Sequence, residues 1–253
     1  MTYGLGILLD EGLVMAADTR INAGVDHIAC MRKLHLFEQP GSHVLALASA
    51  GNLATTQAVV TLLDQRLGHS GQPGNLFEAP TMFDAARIVG ATLREVMAHD
   101  AKEVEPYGDP TASFLFGGQI AESKQELMMI YPAGNFIAAD GDTPYLQIGE
   151  HKYGKPILDR TARRDMKLAE AVKITLLSYD ATIRSNIGVA PPIDFFIKRR
   201  DMLEPVELRR VPLDDPYFER VREGYARSIG KALKGLPLPE WQEGPKRQDE
   251  KDD

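Results

Sequence analysis

Apolar and polar positions change rhythm several times along this 253-residue chain. Residues 2–9 are apolar with glycines at 4 and 6, Asp10-Glu11-Gly12 interrupts, and residues 13–17 are apolar again. That pattern predicts a strand, a tight turn and a second strand with Asp18 at its exit. A polar, glycine-containing loop follows. Lys33-Leu34-His35-Leu36-Phe37 then alternates with period two, Pro40-Gly41 marks a turn, and residues 43–48 read as the next strand. From Leu53 the period lengthens: Val60, Leu63 and Leu67 fall on one helical stripe, entered through Ala50-Gly51-Asn52. After a Gly/Pro-rich loop at 68–80, Thr81 with Asp84 resembles a helix cap, and Ala86, Val89, Leu93 and Val96 align on a second helix.

Strand patterns return at 111–117, 126–131, 135–139 and 145–148, with Pro132-Ala133-Gly134-Asn135 as a turn. A helix is expected to start near Glu150, and a longer one carries Leu168, Val172, Leu176 and Tyr179. Residues 193–198 and 205–211 read as strands. Asp215-Pro216 opens a last helix bearing Phe218, Val221, Tyr225 and Ile229, with Gly235 as its stop. Strands, two helices, strands, two helices, strands and one helix are satisfied by two antiparallel sheets packed face to face with helices outside both. This is an α+β, four-layer αββα sandwich. A doubly wound parallel sheet would need single strands alternating with helices. We expect one domain over 1–236 and a charged, disordered tail over 237–253.

Composition narrows the function classes. A hydrophobic content of 43% and a charged fraction of 26% fit a globular protein with a sizeable core. The net charge of −7 argues against nucleic acid as a partner. The one cysteine, Cys30, cannot close an intrachain disulfide. With no secretory signal pattern and no membrane-spanning apolar run, the expected location is cytoplasmic, with no membrane partner. His27, His35, His43, His69, His99 and His151 are scattered without ligand spacing, and no phosphate loop, dinucleotide fingerprint or GxSxG elbow occurs. Neither a metal nor a cofactor is expected.

What remains is Thr2, Asp18 and Lys33. If Met1 is removed, Thr2 carries a hydroxyl and a free α-amine, the minimal N-terminal nucleophile. An α-amine titrates at about 7.7–8.0, so part of it is unprotonated near neutral pH. A nearby lysine ammonium lowers that value, and a carboxylate such as Asp18 can pair with the lysine and orient it. A backbone N–H at a strand-to-helix turn suits an oxyanion, and Gly51 supplies one. Singly, these residues read as a terminus, a turn residue and a surface lysine; only their combination points to catalysis.

The sequence resembles the proteasome β-subunit family. Thr2, the block Gly12-Leu13-Val14-Met15-Ala16-Ala17-Asp18-Thr19-Arg20, Lys33-Leu34, and Ser49-Ala50-Gly51-Asn52 running into a helix carry the likeness. Within that family it is most similar to the bacterial branch called Anbu, the ancestral β-subunit. Residues 148–156, Arg184-Ser185-Asn186 and Pro191-Pro192-Ile193-Asp194 add to the match. The resemblance implies an N-terminal nucleophile hydrolase fold, with Thr2 as nucleophile, Asp18 and Lys33 activating it, and the Gly51 N–H in the oxyanion hole. It further implies that Ile21, Met31, Ser49 and Leu53 border the pocket for the substrate residue before the cleaved bond. Asn22 would offer backbone hydrogen bonds to an extended peptide. Family members contact the Thr amine through serine and aspartate side chains. Here Glu150 and Ser185 are offered instead, with Gly188 where a serine would be expected.

The resemblance thus implies a threonine peptidase, a peptide or protein substrate, and self-association into a ring or spiral; it names no unfoldase partner. With only Met1 ahead of Thr2, activation is expected to need a methionine aminopeptidase alone. Two other functions fit the same residues: an inactive scaffold of this fold, and an amidohydrolase or transferase acting on a small amide.

Overall fold

The computed structural model describes residues 1–253 except 23–27, 69–70, 72, 122, 240 and 242–253. The expected disorder of the tail therefore falls, from residue 242 onward, outside the described residues.

The first apolar runs form the predicted hairpin of β1 (Tyr3–Leu8) and β2 (Gly12–Asp18), closed by the Leu9 N–H donating to Gly12 O at 2.8 Å. The polar loop that follows contains a short hairpin that alternation did not reveal, β3 (Arg20–Asn22) with β4 (Ile28–Cys30). Three residues per strand are too few to display a period. β5 (Leu34–Gln39) and β6 (His43–Gly51) come next. α1 (Leu53–Leu67) is capped by Asn52, whose Oδ1 accepts the Thr55 N–H at 3.2 Å. A short 3₁₀ turn, Leu76–Glu78, lies in the Gly/Pro-rich loop. α2 (Met82–Val104) starts at the predicted cap, with Thr81 Oγ1 accepting the Asp84 N–H at 3.1 Å.

β7 (Ala112–Ile120), β8 (Glu126–Ile130), β9 (Phe136–Ala138) and β10 (Tyr145–Gly149) follow in order. The helix expected from Glu150 begins at Lys155, as α3 (Lys155–Thr161), where Pro156 fits the first turn. α4 (Leu168–Ser185) and β11 (Ile193–Arg199) match expectation. The strand expected over 205–211 shrinks to β12 (Arg209–Val211). Pro205 has no N–H for a ladder, and the Val206 N–H is taken by Glu38 Oε1 at 2.6 Å. α5 (Pro216–Gly235) is capped by Asp215 and buries only Phe218.

One sheet has the order β10-β1-β2-β11-β12 and the other β5-β6-β7-β8-β9, each antiparallel throughout. Period two sorts each strand's side chains between two cores. On β2, Val14 and Ala16 join the layer under α4, while Leu13, Met15 and Ala17 face the other sheet. On β6, Leu45 and Leu47 pack under α1 and α2, while Val44, Ala46, Ala48 and Ala50 point between the sheets. Both faces are buried, so these strands read as continuous apolar runs. Gly4 and Gly6 belong to the inner face, where a Cβ would come within 2.7 Å of Ile148 and 2.6 Å of Leu127. Close sheet-to-sheet packing explains Gly6, while Gly4 makes room for the Ile148 side chain directly opposite on the neighbouring strand β10. The architecture is the αββα sandwich. Among the described residues no helix is long and apolar enough to cross a membrane.

Candidate active site

Antiparallel pairing brings distant residues to one end of the sandwich. Gly4 pairs with Ala17, which sets Thr2 beside Asp18, and the Tyr3 N–H donates to Asp18 Oδ1 at 2.9 Å. Tyr3 pairs with Gly149, so the turn after β10 also closes on Thr2, with the Glu150 N–H donating to Thr2 O at 2.7 Å. From the second sheet, Leu34 pairs with Ala48, which carries Lys33 to the same end. The Ser49 N–H fixes its backbone by donating to Lys33 O at 2.9 Å.

The Lys33 ammonium reaches across between the sheets. It lies 3.1 Å from each Asp18 carboxylate oxygen, 2.6 Å from Arg20 O and 3.3 Å from Met1 O. Asp18 is wholly buried and Lys33 nearly so. Burial pushes the Asp18 carboxyl up and the Lys33 ammonium down, and each charge opposes the other's shift. The Arg20 N–H adds a third donor group to Asp18 at 3.1 Å. Behind the pair, buried Tyr179 donates to Tyr3 O at 2.7 Å, anchoring the start of β1. Tyr3 OH, pushed up to about 12 chiefly by burial, stays a neutral hydroxyl beside Ser178 and Gln147.

Met1 O belongs to the peptide bond that holds the Thr2 nitrogen. An ammonium has three N–H donors, and here four oxygens compete for them. The Thr2 hydroxyl makes no hydrogen bond to any described residue. Met1 is itself accommodated: Asn186 Nδ2 lies 3.8 Å from its sulfur, and a Cβ on Gly188 would come within 2.8 Å of the Met1 Cβ. Asn186 is held by Glu150 Oε2 at 2.8 Å and by the Gly188 N–H at 2.8 Å.

In front of Thr2 opens a cavity of about 250 Å³, lined among others by Thr2, Ile21, Lys33, Ser49, Gly51 and Leu53. Gly51 holds φ +112°, and a Cβ there would sit 2.4 Å from Thr111 O, so this strand-to-helix turn requires glycine. Asp18 stands behind Lys33, outside the lining. Met31 borders the cavity through Gln57, whose Nε2 lies 3.4 Å from the methionine sulfur. Asn22 ends β3, where its backbone pairs with Ile28. Ser185, by contrast, is exposed at the C-terminal end of α4 and does not line the cavity; its neighbour Asn186 turns toward Met1 and Glu150 instead. Arg20, Arg32, His35, Thr56 and Gln57 also line the cavity and were not picked out from sequence. Two spacings would have found three of them. His35 lies two residues beyond Lys33 on a strand, and Thr56 and Gln57 stand three and four residues beyond Leu53 on a helix. Among the described residues no cluster of His, Cys, Asp and Glu side chains is arranged to hold a metal ion.

A hydroxyl one residue from the N-terminus, a buried Asp–Lys pair reaching the carbonyl of the peptide bond before it and a glycine turn at the rim, set in an αββα sandwich, define the N-terminal nucleophile class of fold. Residues 2–189 match the family model described as proteasome subunit, and the chain belongs to that family. Among solved structures it is similar to Anbu. A Gly-1 mutant of Anbu from Hyphomicrobium sp. strain MC1 is 47% identical, covering 94% of this chain and 99% of its own, with TM-score 0.87. The helical assembly of the Anbu complex from Pseudomonas aeruginosa is 46% identical, covering 94% and 98%, with TM-score 0.89. Anbu, the ancestral beta-subunit, from Yersinia bercovieri is 43% identical over the same shares, with TM-score 0.88.

Proposed function

We propose that this chain is a proteasome-like threonine peptidase whose nucleophile is Thr2 once Met1 is removed. The supporting observation is that Thr2, Lys33 and Gly51 border one cavity, with Asp18 holding Lys33 from behind. Removing Met1 deletes one of the four acceptors around the ammonium, so that its three donors match the three oxygens of Asp18 and Arg20 that hold it at the cavity beside Thr2. The new α-amine accepts the hydroxyl proton, directly or through a water, as Thr2 Oγ1 attacks the scissile carbonyl carbon. The Gly51 N–H receives the developing oxyanion. Collapse expels the amine product, which takes the proton, and leaves an ester on Thr2. Water then attacks that ester by the same proton route and restores the hydroxyl.

Residues 1–236 act as one unit in this reading, at work in the cytoplasm. The Pseudomonas relative forms a helical assembly, and we extend self-association into a ring or spiral to this chain. A second reading is favoured by the snug fit of Met1 against Asn186 and Gly188: the chain retains Met1 and serves as a non-hydrolytic scaffold.

Intact mass and active-site labelling separate the two. The first reading expects a chain lacking Met1 that is labelled at residue 2 by a peptide epoxyketone, a reagent that needs both hydroxyl and amine. Thr2→Ala should abolish labelling. Quantitative retention of Met1, or labelling that survives Thr2→Ala, would overturn it.

A further inference from the structure

A peptide attacked by Thr2 has its carbonyl between that residue and Gly51, so the side chain of the residue supplying the carbonyl enters the adjoining cavity. At about 250 Å³ the cavity suits a single side chain. Its charge is one-sided. Arg20, Arg32 and Lys33 line it, and among the described residues no aspartate or glutamate does. This is an unexpected concentration in a chain whose net charge is −7.

The three cations differ in how far they are already satisfied. Asp18 offsets the charge of Lys33 from behind. Arg20 Nη1 donates to Ile187 O at 3.1 Å. The Arg32 guanidinium makes no hydrogen bond or ion pair with any described residue, though the Arg32 backbone is a hydrogen-bond partner of His35. Acidic groups do stand nearby: Asp64 and Glu207 line the adjoining cavity, which Arg32 and His35 share. Neither carboxylate forms an ion pair with Arg32, so its planar fork remains available to a carboxylate in bidentate geometry. His35 and Gln57 add polar groups to the same wall.

Resting on the threonine-peptidase reading above, we propose that this cavity selects substrates with a carboxylate side chain, glutamate or aspartate, immediately before the scissile bond, and that Arg32 is the specificity-determining residue. Ile21 and Leu53 pack against the aliphatic stem of that side chain.

The test reads binding without turnover. The full chain carrying Thr2→Ala, prepared with residue 2 at its N-terminus, is titrated with fluorescent peptides identical except for Glu, Gln, Leu or Lys at the position before the scissile bond. Glu should bind about tenfold or more tighter than Gln, the order for a hydrogen bond to a charged group. Arg32→Ala should erase that difference, and Arg32→Glu should move the preference to Lys. Equal binding of Glu and Gln, tightest binding of Leu, a Glu preference that survives Arg32→Ala, or no binding of any peptide would each overturn the proposal. The two readings fail differently. If Thr2 is not the nucleophile, the unmutated chain resists epoxyketone labelling while the glutamate preference in binding persists. If the selectivity is wrong, labelling proceeds equally with glutamate- and leucine-bearing epoxyketones.

Discussion

Among the described residues two lysines are buried, at opposite ends of the sandwich, and their surroundings differ in kind. Lys33 meets both oxygens of a buried carboxylate and borders a cavity that also holds Thr2. Lys198, at the far end of β11, is fully buried and donates to Gln119 Oε1 at 2.6 Å and Arg199 O at 3.0 Å, both neutral acceptors. Burial alone therefore does not mark a lysine for chemistry. With a carboxylate partner, the charge at Lys33 is held in place beside a reacting group. With neutral partners, burial pushes Lys198 down to about 8, and Asp201 only partly opposes it.

Removing each ammonium breaks the comparison most sharply. Lys33→Met leaves Asp18 buried without its counter-charge, retaining only the N–H groups of Tyr3 and Arg20. We expect a loss of about 3–5 kcal/mol in chemical denaturation, together with loss of epoxyketone labelling. Adding Asp18→Asn should recover much of the stability and none of the labelling. Recovery of labelling in the double variant would remove Lys33 from the mechanism.

Gly188→Ala tests whether the active end is shaped around Met1. A methyl group there would come within 2.8 Å of the Met1 Cβ and 3.1 Å of Asn186 Oδ1. The chain bearing Met1 should lose about 1–3 kcal/mol, the usual cost of overpacking, while a chain beginning at Thr2 should lose less. Melting the two forms side by side gives the difference. Equal losses would mean that the methyl clashes with Asn186 rather than Met1.

The contrast between the two ends also separates what was legible in the sequence from what was not. The layered fold was readable because strands buried on both faces need continuous apolar runs, as at residues 13–17, while α1 and α2 carry a helical stripe. Asp18 and Lys33 were readable as strand-end charges whose meeting the resemblance implied. The rest of the cavity wall was not, because its residues are polar and come from both sheets and α1; Arg32 has the sequence signature of any surface arginine. Asn186 was missed in favour of Ser185 because one residue at the end of α4 decides which side chain turns inward, and a helix stripe does not fix that terminal turn. Lys198 lies in a basic run, Lys198-Arg199-Arg200, that reads as a solvated face, yet strand alternation turns only its first member inward.

The last comparison concerns Lys198, and its sign follows from proton counts. In the unfolded chain the lysine titrates near its ordinary value of 10.5, and in the folded chain near 8. Between those values the unfolded state binds more protons, so stability rises with pH across that window and is lost again as pH falls toward 8. Tyr3 and Tyr179 act in the opposite direction above pH 10, because burial raises both hydroxyls. The measurement is therefore the difference in denaturation free energy between the wild-type chain and Lys198→Met, taken at several pH values from 7 to 10. Methionine fills the same space and removes the charge. Gln119 Oε1 keeps the Asp201 N–H at 3.1 Å, so no buried acceptor is orphaned there. Lys198→Met should equal or exceed the wild type below pH 8, and its advantage should shrink as the pH rises toward 10. A pH-independent difference would mean that Lys198 keeps its ordinary value in the folded chain, hydrated as a cation. In that case the far end would no longer be the uncompensated counterpart of the Asp18–Lys33 pair.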